Sequence, residues 1–137
     1  MTTQEIFNTI INGLREQGCK SGRMEEKTNV YGPTGQEFVC LYRDDNGNKC
    51  AAGWIIPDDL YTPDMERVKF ANSCMSKYVS LPFVNVRDVL ELTEESVLLI
   101  DRLQFIHDFL DVSEWEDRFQ EIARTFGLEI PRKLIQC

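Results

Sequence analysis

The run EFVCLYRDDNGNKCAAGWII, residues 37–56, decides the fold. At its centre lies Asn46-Gly47, the dipeptide that best suits a tight type I′ turn, because both residues tolerate positive φ. Apolar and β-forming residues flank it, and Pro57 ends the run, since proline cannot donate to a strand ladder. The spacing predicts an antiparallel pair, 37–43 with 49–56. With a two-residue turn, Arg43 faces Cys50, Leu41 faces Ala52 and Val39 faces Trp54. The other face then carries Phe38, Cys40, Tyr42, Ala51, Gly53 and Ile55. Both faces are apolar, so both need a cover. Residues 29–31 add a short strand before the turn Gly32-Pro33-Thr34-Gly35, which extends the pair to a meander over 29–56. The polar segment 20–28 reads as a loop.

Helices supply the cover. Thr2 and Glu5 form a capping-box pattern, Ile6, Phe7, Ile10, Ile11 and Leu14 share one face, and Gly18 stops the turn. A helix over 3–17 follows. Thr62-Pro63 reads as an N-cap followed by proline at the first helical position. Residues 67–92 are a variable region of mixed helix and loop, with one short helix over 85–90. Thr93 then opens a helix over 94–111. Leu99, Leu103, Ile106 and Leu110 form one apolar stripe, and Leu98, Phe105 and Phe109 form a second. Only Asp101, Gln104 and Asp108 stay polar, so this helix should be packed on two sides. Ser113 and Glu116 suggest another capping box, and Trp115, Phe119, Ile122, Ala123 and Phe126 give an amphipathic helix over 114–126, ended by Gly127. Beyond it, the tail from Leu128, broken by Pro131, reads as an extended arm. The fold class is α+β: one domain, 1–137, in which a small antiparallel meander packs on an N-terminal helix and a C-terminal helical pair.

Charge is segregated. Residues 91–121 hold ten acids against Arg102 and Arg118, which accounts for the whole net charge of −8. Glu91, Glu94, Glu95, Asp101, Asp108, Asp111, Glu114, Glu116, Asp117 and Glu121 are those acids. Since the stretch also has helical apolar spacing, it forms a folded acidic surface rather than an acidic tail. Such a surface attracts basic proteins and repels nucleic acid. The basic residues are scattered, so no phosphate-neutralising face is expected, and there is no glycine-rich phosphate loop. No apolar run approaches the ~20 residues of a membrane span, and the N-terminus lacks signal-peptide character. A cytoplasmic location is expected. Five cysteines, at 19, 40, 50, 74 and 137, are odd in number and widely spaced, with a single histidine beside them. That pattern predicts buried thiols, with no disulfide framework, metal site or cofactor.

Three sets of residues carry functional readings. Asp101, Asp108, Glu114, Asp117 and Glu121 would dock a protein partner with a basic surface. Alternatively, Trp54, Tyr42 and Tyr61 would stack on a nucleotide signal while Arg43 or Arg67 holds its phosphate. In the third reading Cys50 is a hydrolase nucleophile, His107 its base and Asp58 or Asp108 the orienting acid. Against it, no glycine-bracketed elbow surrounds Cys50. A histidine beside an apolar stripe is also more often a core residue bonded to a carboxylate or carbonyl. Asp108, on the polar strip, is expected to diverge from His107. The oligomeric state is left open, a small homo-oligomer included.

Cys50-Ala51-Ala52-Gly53-Trp54-Ile55-Ile56-Pro57-Asp58, followed by Tyr61 and Met65-Glu66, resembles a segment of a group of small bacterial and bacteriophage proteins. Their pattern is Cys-Ala-x-Gly-x-x-Ile-Pro-Asp. His107-Asp108, Trp115 and Gly127-Leu128 match the group's C-terminal helical region, and Thr2-x-x-Glu5-Ile6-Phe7 matches its N-terminus. Residues 67–92 are longer than is usual there. The resemblance implies a fold of this kind and a bacteriophage setting, and brings no mechanism with it. Together with the charge segregation it gives the leading expectation: a non-enzymatic, phage-encoded inhibitor of a host defence factor.

Overall fold

The computed structural model describes residues 1–72 and 75–132, so Cys74, Cys137 and the end of the predicted C-terminal arm, 133–137, lie outside the described residues. The fold class is α+β, with an N-terminal helix, an antiparallel hairpin and C-terminal helices.

Helix α1, Thr3–Gln17, begins where Thr2 accepts from Glu5 N and Glu5 accepts from Thr2 N, a complete capping box. It ends on Gly18, whose φ of 67° costs little without a Cβ. The central helix is α3, Glu94–Phe109, capped by Thr93, and α4, Trp115–Phe126, packs on it. Ile6, Phe7, Ile10, Ile11 and Leu14 of α1 meet Leu99, Ile100, Leu103 and Ile106 of α3 and Trp115 and Phe119 of α4 in one core. Each fully buried aliphatic side chain contributes about 1.5–3 kcal/mol relative to exposure. A short helix α2, Val84–Leu90, closes one end of that core through Phe83 and Val86.

The strands are not those the Asn46-Gly47 turn predicts. Strand β1, Gly22–Asn29, pairs with β2, Gly32–Cys40, around Val30 and Tyr31. The polar stretch 20–28, read as a loop, therefore supplies a strand, and its polarity has a structural reason. No residue of β1 or β2 is buried, so the pair extends from the body as an arm and needs no apolar face. The predicted pair 37–43 with 49–56 is reduced to one bridge, Arg43 with Lys49. Asp44 explains the stop. Its carboxylate gathers the N–H groups of Gly22, Asn46 and Asn48, bonds that replace a ladder. Cys50–Ile55 then forms tight turns, with a 3-10 turn at Ala52–Trp54, beneath α1 and α3. A Cβ on Gly53 would lie 2.1 Å from the carbonyl oxygen of Tyr42, so the small residues serve close packing of backbone rather than strand pairing.

Three further predictions change. Within 67–92 a second pair forms, β3, Ala71–Asn72, with β4, Met75–Val79, and it packs on α3. The expected Ser113–Glu116 capping box is instead Asp111 with Glu114, one turn before α4. Thr62-Pro63 opens only a single 3-10 turn, Pro63–Met65. Among the described residues no helix is long and apolar enough to cross a membrane.

Candidate functional site

A cleft of about 360 Å³ lies between α3 and residues 67–70, with Leu41, Tyr42 and Cys50 in its lining. Helix α3 contributes Asp101, Gln104, Phe105, Asp108 and Phe109, which recur at the three- and four-residue spacing of one helix side. The sequence placed Phe105 and Phe109 on a packed stripe and the three polar residues on a solvated one. Folding does the reverse. Phe109 is 72% exposed and Phe105 54%, with ring centroids 5.0 Å apart. Asp101, Gln104 and Asp108 are half-buried. Gln104 turns inward because its Oε1 accepts from Ala52 N, satisfying a backbone donor of the tight turns.

His107 is fully buried. Its Nε2 accepts from Ser21 N at 2.9 Å, so the proton resides on Nδ1, which donates to Asp108 Oδ1 at 2.8 Å. The adjacent side chains converge rather than diverge. Gln104 Nε2 donates to the same oxygen at 2.8 Å. Cys40, on the cleft wall, directs its thiol to Asp108; burial first and that carboxylate second push it up to about 12. The Cys40 sulfur, a His107 ring nitrogen and an Asp108 oxygen lie within 4.8 Å of one another. That spacing would suit a cation, but the tautomer does not. A metal on Nδ1 would put the proton on Nε2, against the Ser21 N–H. The cluster is a hydrogen-bonded one.

The set Cys50, His107 and Asp58 is not assembled. Cys50 is buried, and burial, opposed by the Gly53 N–H, raises its thiol well above the ordinary range. Both nitrogens of His107 are occupied, and Asp58 pairs with Arg43 at 2.9 Å. Of the nucleotide-binding set, Tyr42, Arg43 and Tyr61 meet around Glu66, with their polar groups already engaged, while Trp54 and Arg67 lie apart. Arg43 sits over Tyr61 at 4.6 Å and donates to Ile56 O, while Tyr61 Oη donates to Glu66 at 2.7 Å. Tyr42 Oη donates to the carbonyl of Val68, and Arg67 is held by Glu25 on β1 at 2.6 Å. Trp54 lies across Gly13 of α1. Of these five, Tyr42 and Arg67 line the cleft.

The five partner-binding acids divide into two groups. Glu114, Asp117 and Glu121 are exposed along α4 and its cap, with Arg118 between them donating to Glu121 at 2.9 Å. Asp101 and Asp108 line the cleft instead. Burial pushes the Asp101 carboxyl up, while Arg102 and Lys69 oppose this from a distance. The sequence reading missed the cleft, the Ser21–His107 bond, and Glu66, which accepts from Tyr42 N, Arg43 N and Tyr61 Oη. The one signal available was the polar strip on an otherwise apolar helix.

No family model, no curated protein and no solved structure matches the chain.

Proposed function

We propose that the chain is a non-enzymatic binding protein that docks a basic protein partner through the exposed acids of α4. One observation carries the reading: Glu114, Asp117 and Glu121 sit at three- and four-residue spacing on an exposed helix side whose one interspersed cation is Arg118. The surroundings add to it. Seven of the ten acids in 91–121, namely Glu91, Glu94, Glu95, Asp111, Glu114, Asp117 and Glu121, are exposed. A face of this kind speeds encounter with a positive surface and disfavours nucleic acid. The buried, fully bonded His107 and the buried Cys50 thiol speak against hydrolysis. The biological form of the activity is inhibition of a host defence factor by a phage-encoded protein within the bacterial cytoplasm, the setting that the resemblance implies.

The test is a pair of affinity captures from bacterial lysate, one with the wild-type chain and one with Glu114→Lys, Asp117→Lys and Glu121→Lys combined. The expected result is a specific basic protein retained by the wild type, lost with the variant, and released by raised salt. The same protein retained equally by both would overturn the reading.

A further inference from the structure

Two half-buried carboxylates stand in the cleft, where Lys69 acts on Asp101 only from a distance. Asp108 Oδ1 receives bonds from two neutral groups, His107 Nδ1 and Gln104 Nε2, and the neutral Cys40 thiol also points to this carboxylate. Among the described residues, neither Asp101 nor Asp108 forms an ion pair with lysine or arginine. Arg67, on the opposite lip, is already taken by Glu25. A carboxylate partly withdrawn from water and lacking a direct ion pair gains when a cation arrives to bond it.

Beside these acids is an aromatic pair that folding leaves uncovered. Phe105 and Phe109 line the same cleft and stay mostly exposed, although the sequence marks them as core residues. An aromatic face within about 6 Å attracts a cation, and a carboxylate gives it a charge-assisted hydrogen bond. Acid, aromatic, acid, aromatic at 101, 105, 108 and 109 is therefore complementary to a group that is both long and positively charged. A volume of about 360 Å³ has room for such a side chain.

We infer that the cleft between α3 and residues 67–70 is an anchor pocket for one arginine or lysine side chain presented by the basic partner. Asp101 and Asp108 take the charge, and Phe105 and Phe109 cover its stem. The inference rests on the docking reading and deepens it: α4 supplies the broad attraction, and the cleft supplies a buried anchor of the kind that dominates interface energetics. The neutral donors on Asp108 hold its carboxylate in place without cancelling its charge.

Calorimetry with three probes tests this: an acetylated, amidated peptide containing two arginines, its citrulline counterpart, and spermidine. The arginine peptide is expected to bind the wild-type chain, and the citrulline peptide at least tenfold more weakly. Asp101→Asn and Phe109→Ala should each weaken the arginine peptide at least fivefold, and Lys69→Ala should tighten it. Asp108→Asn should weaken it too; since that residue also holds His107, its fold is checked by circular dichroism. Absence of arginine-peptide binding, equal binding of the citrulline peptide, or wild-type affinity in both Asp101→Asn and Phe109→Ala would overturn the pocket. Spermidine binding as tightly as the peptide would also overturn it, in favour of a free amine. Lysate capture separates the two proposals: a partner lost on α4 charge reversal but kept by Asp101→Asn and Phe109→Ala leaves the docking reading standing and removes the anchor.

Discussion

Ser21 donates its backbone N–H to Nε2 of His107, 2.9 Å away and 86 residues on, and so fastens the root of the hairpin arm to the last turn of α3. A two-stranded hairpin is marginal alone, and β1 and β2 pack chiefly on each other. Its position depends on this anchorage. Ser21 Oγ donates to Leu41 O at 2.7 Å, and Leu41 N returns a bond to Ser21 O.

Replacing His107 with alanine removes the acceptor of a buried N–H and leaves a void beside Trp115. The unsatisfied donor and the void together should cost about 3 kcal/mol. Urea denaturation followed by tryptophan fluorescence measures it. A loss under about 1 kcal/mol would mean that water or a side-chain shift replaces the imidazole.

Asp44 should make stability depend on acid pH. Burial opposes its ionisation, yet the N–H groups of Asn48, Gly22 and Asn46 and the amide of Asn48 hold its carboxyl below the ordinary value. The folded pKa is depressed, so the contribution is fully present above the unfolded value of about 4 and fades as pH falls through the folded one. Asp44→Ala is expected to cost about 1–2 kcal/mol at pH 7 and clearly less near pH 3. Denaturation midpoints at both pH values check the difference.

Asp101 has the opposite sign. Burial raises its carboxyl, so the folded chain holds that proton more firmly than the unfolded chain, and ionisation works against folding as pH rises through the raised pKa. Asp101→Asn should therefore be neutral or slightly stabilising at pH 7, by less than about 1 kcal/mol after solvent screening. Thermal denaturation between pH 4 and 7 would show the gain shrinking toward acid. Destabilisation at neutral pH would indicate an unrecognised partner for this carboxylate.

How far the sequence could be read follows from which interactions are local. Helices α1, α3 and α4 were legible because Thr2, Thr93, Gly18 and Gly127 mark their ends within a few residues of the apolar spacing. The strands were not. Asn46-Gly47 gives a strong local turn signal, but Asp44 uses that turn to bind Gly22 and Asn48 instead of extending a ladder. Gln104, 52 residues further on, takes the amide of Ala52 that a strand would have used. Nothing within 49–56 signals that competition. The acids show the same limit: Glu114 and Asp117 lie where helical spacing places them, whereas Asp101 and Asp108 line a cleft that only the tertiary fold assembles, with Cys40 brought against Asp108 from 68 residues away.

Gly53 offers the sharpest check on the tight turns. Its added Cβ would meet the Tyr42 carbonyl oxygen at 2.1 Å and Lys49 Cβ at 3.1 Å, so backbone, not a flexible side chain, must yield. Tyr42 is itself fixed by Glu66 and by Val68 O, which leaves little room for adjustment. Gly53→Ala should lower stability by roughly 2–3 kcal/mol, at the upper end for overpacking. Were 49–56 a strand with Gly53 facing an open side, the same change would cost almost nothing, so the denaturation midpoint decides between the two arrangements.

Thiol reactivity makes the last prediction and bears directly on hydrolysis. Cys19 is exposed and Cys50 buried, with its thiol held protonated by its surroundings. Alkylation proceeds through the thiolate and needs access, and Cys50 lacks both. Brief iodoacetamide treatment at pH 7.5, followed by peptide mass mapping, should label Cys19 readily and Cys50 only after unfolding. Cys40 should be slower than Cys19, because desolvation and Asp108 both suppress its thiolate. Rapid labelling of Cys50 in the folded chain would require an activating base that neither nitrogen of His107 is free to supply, and would return catalysis to consideration.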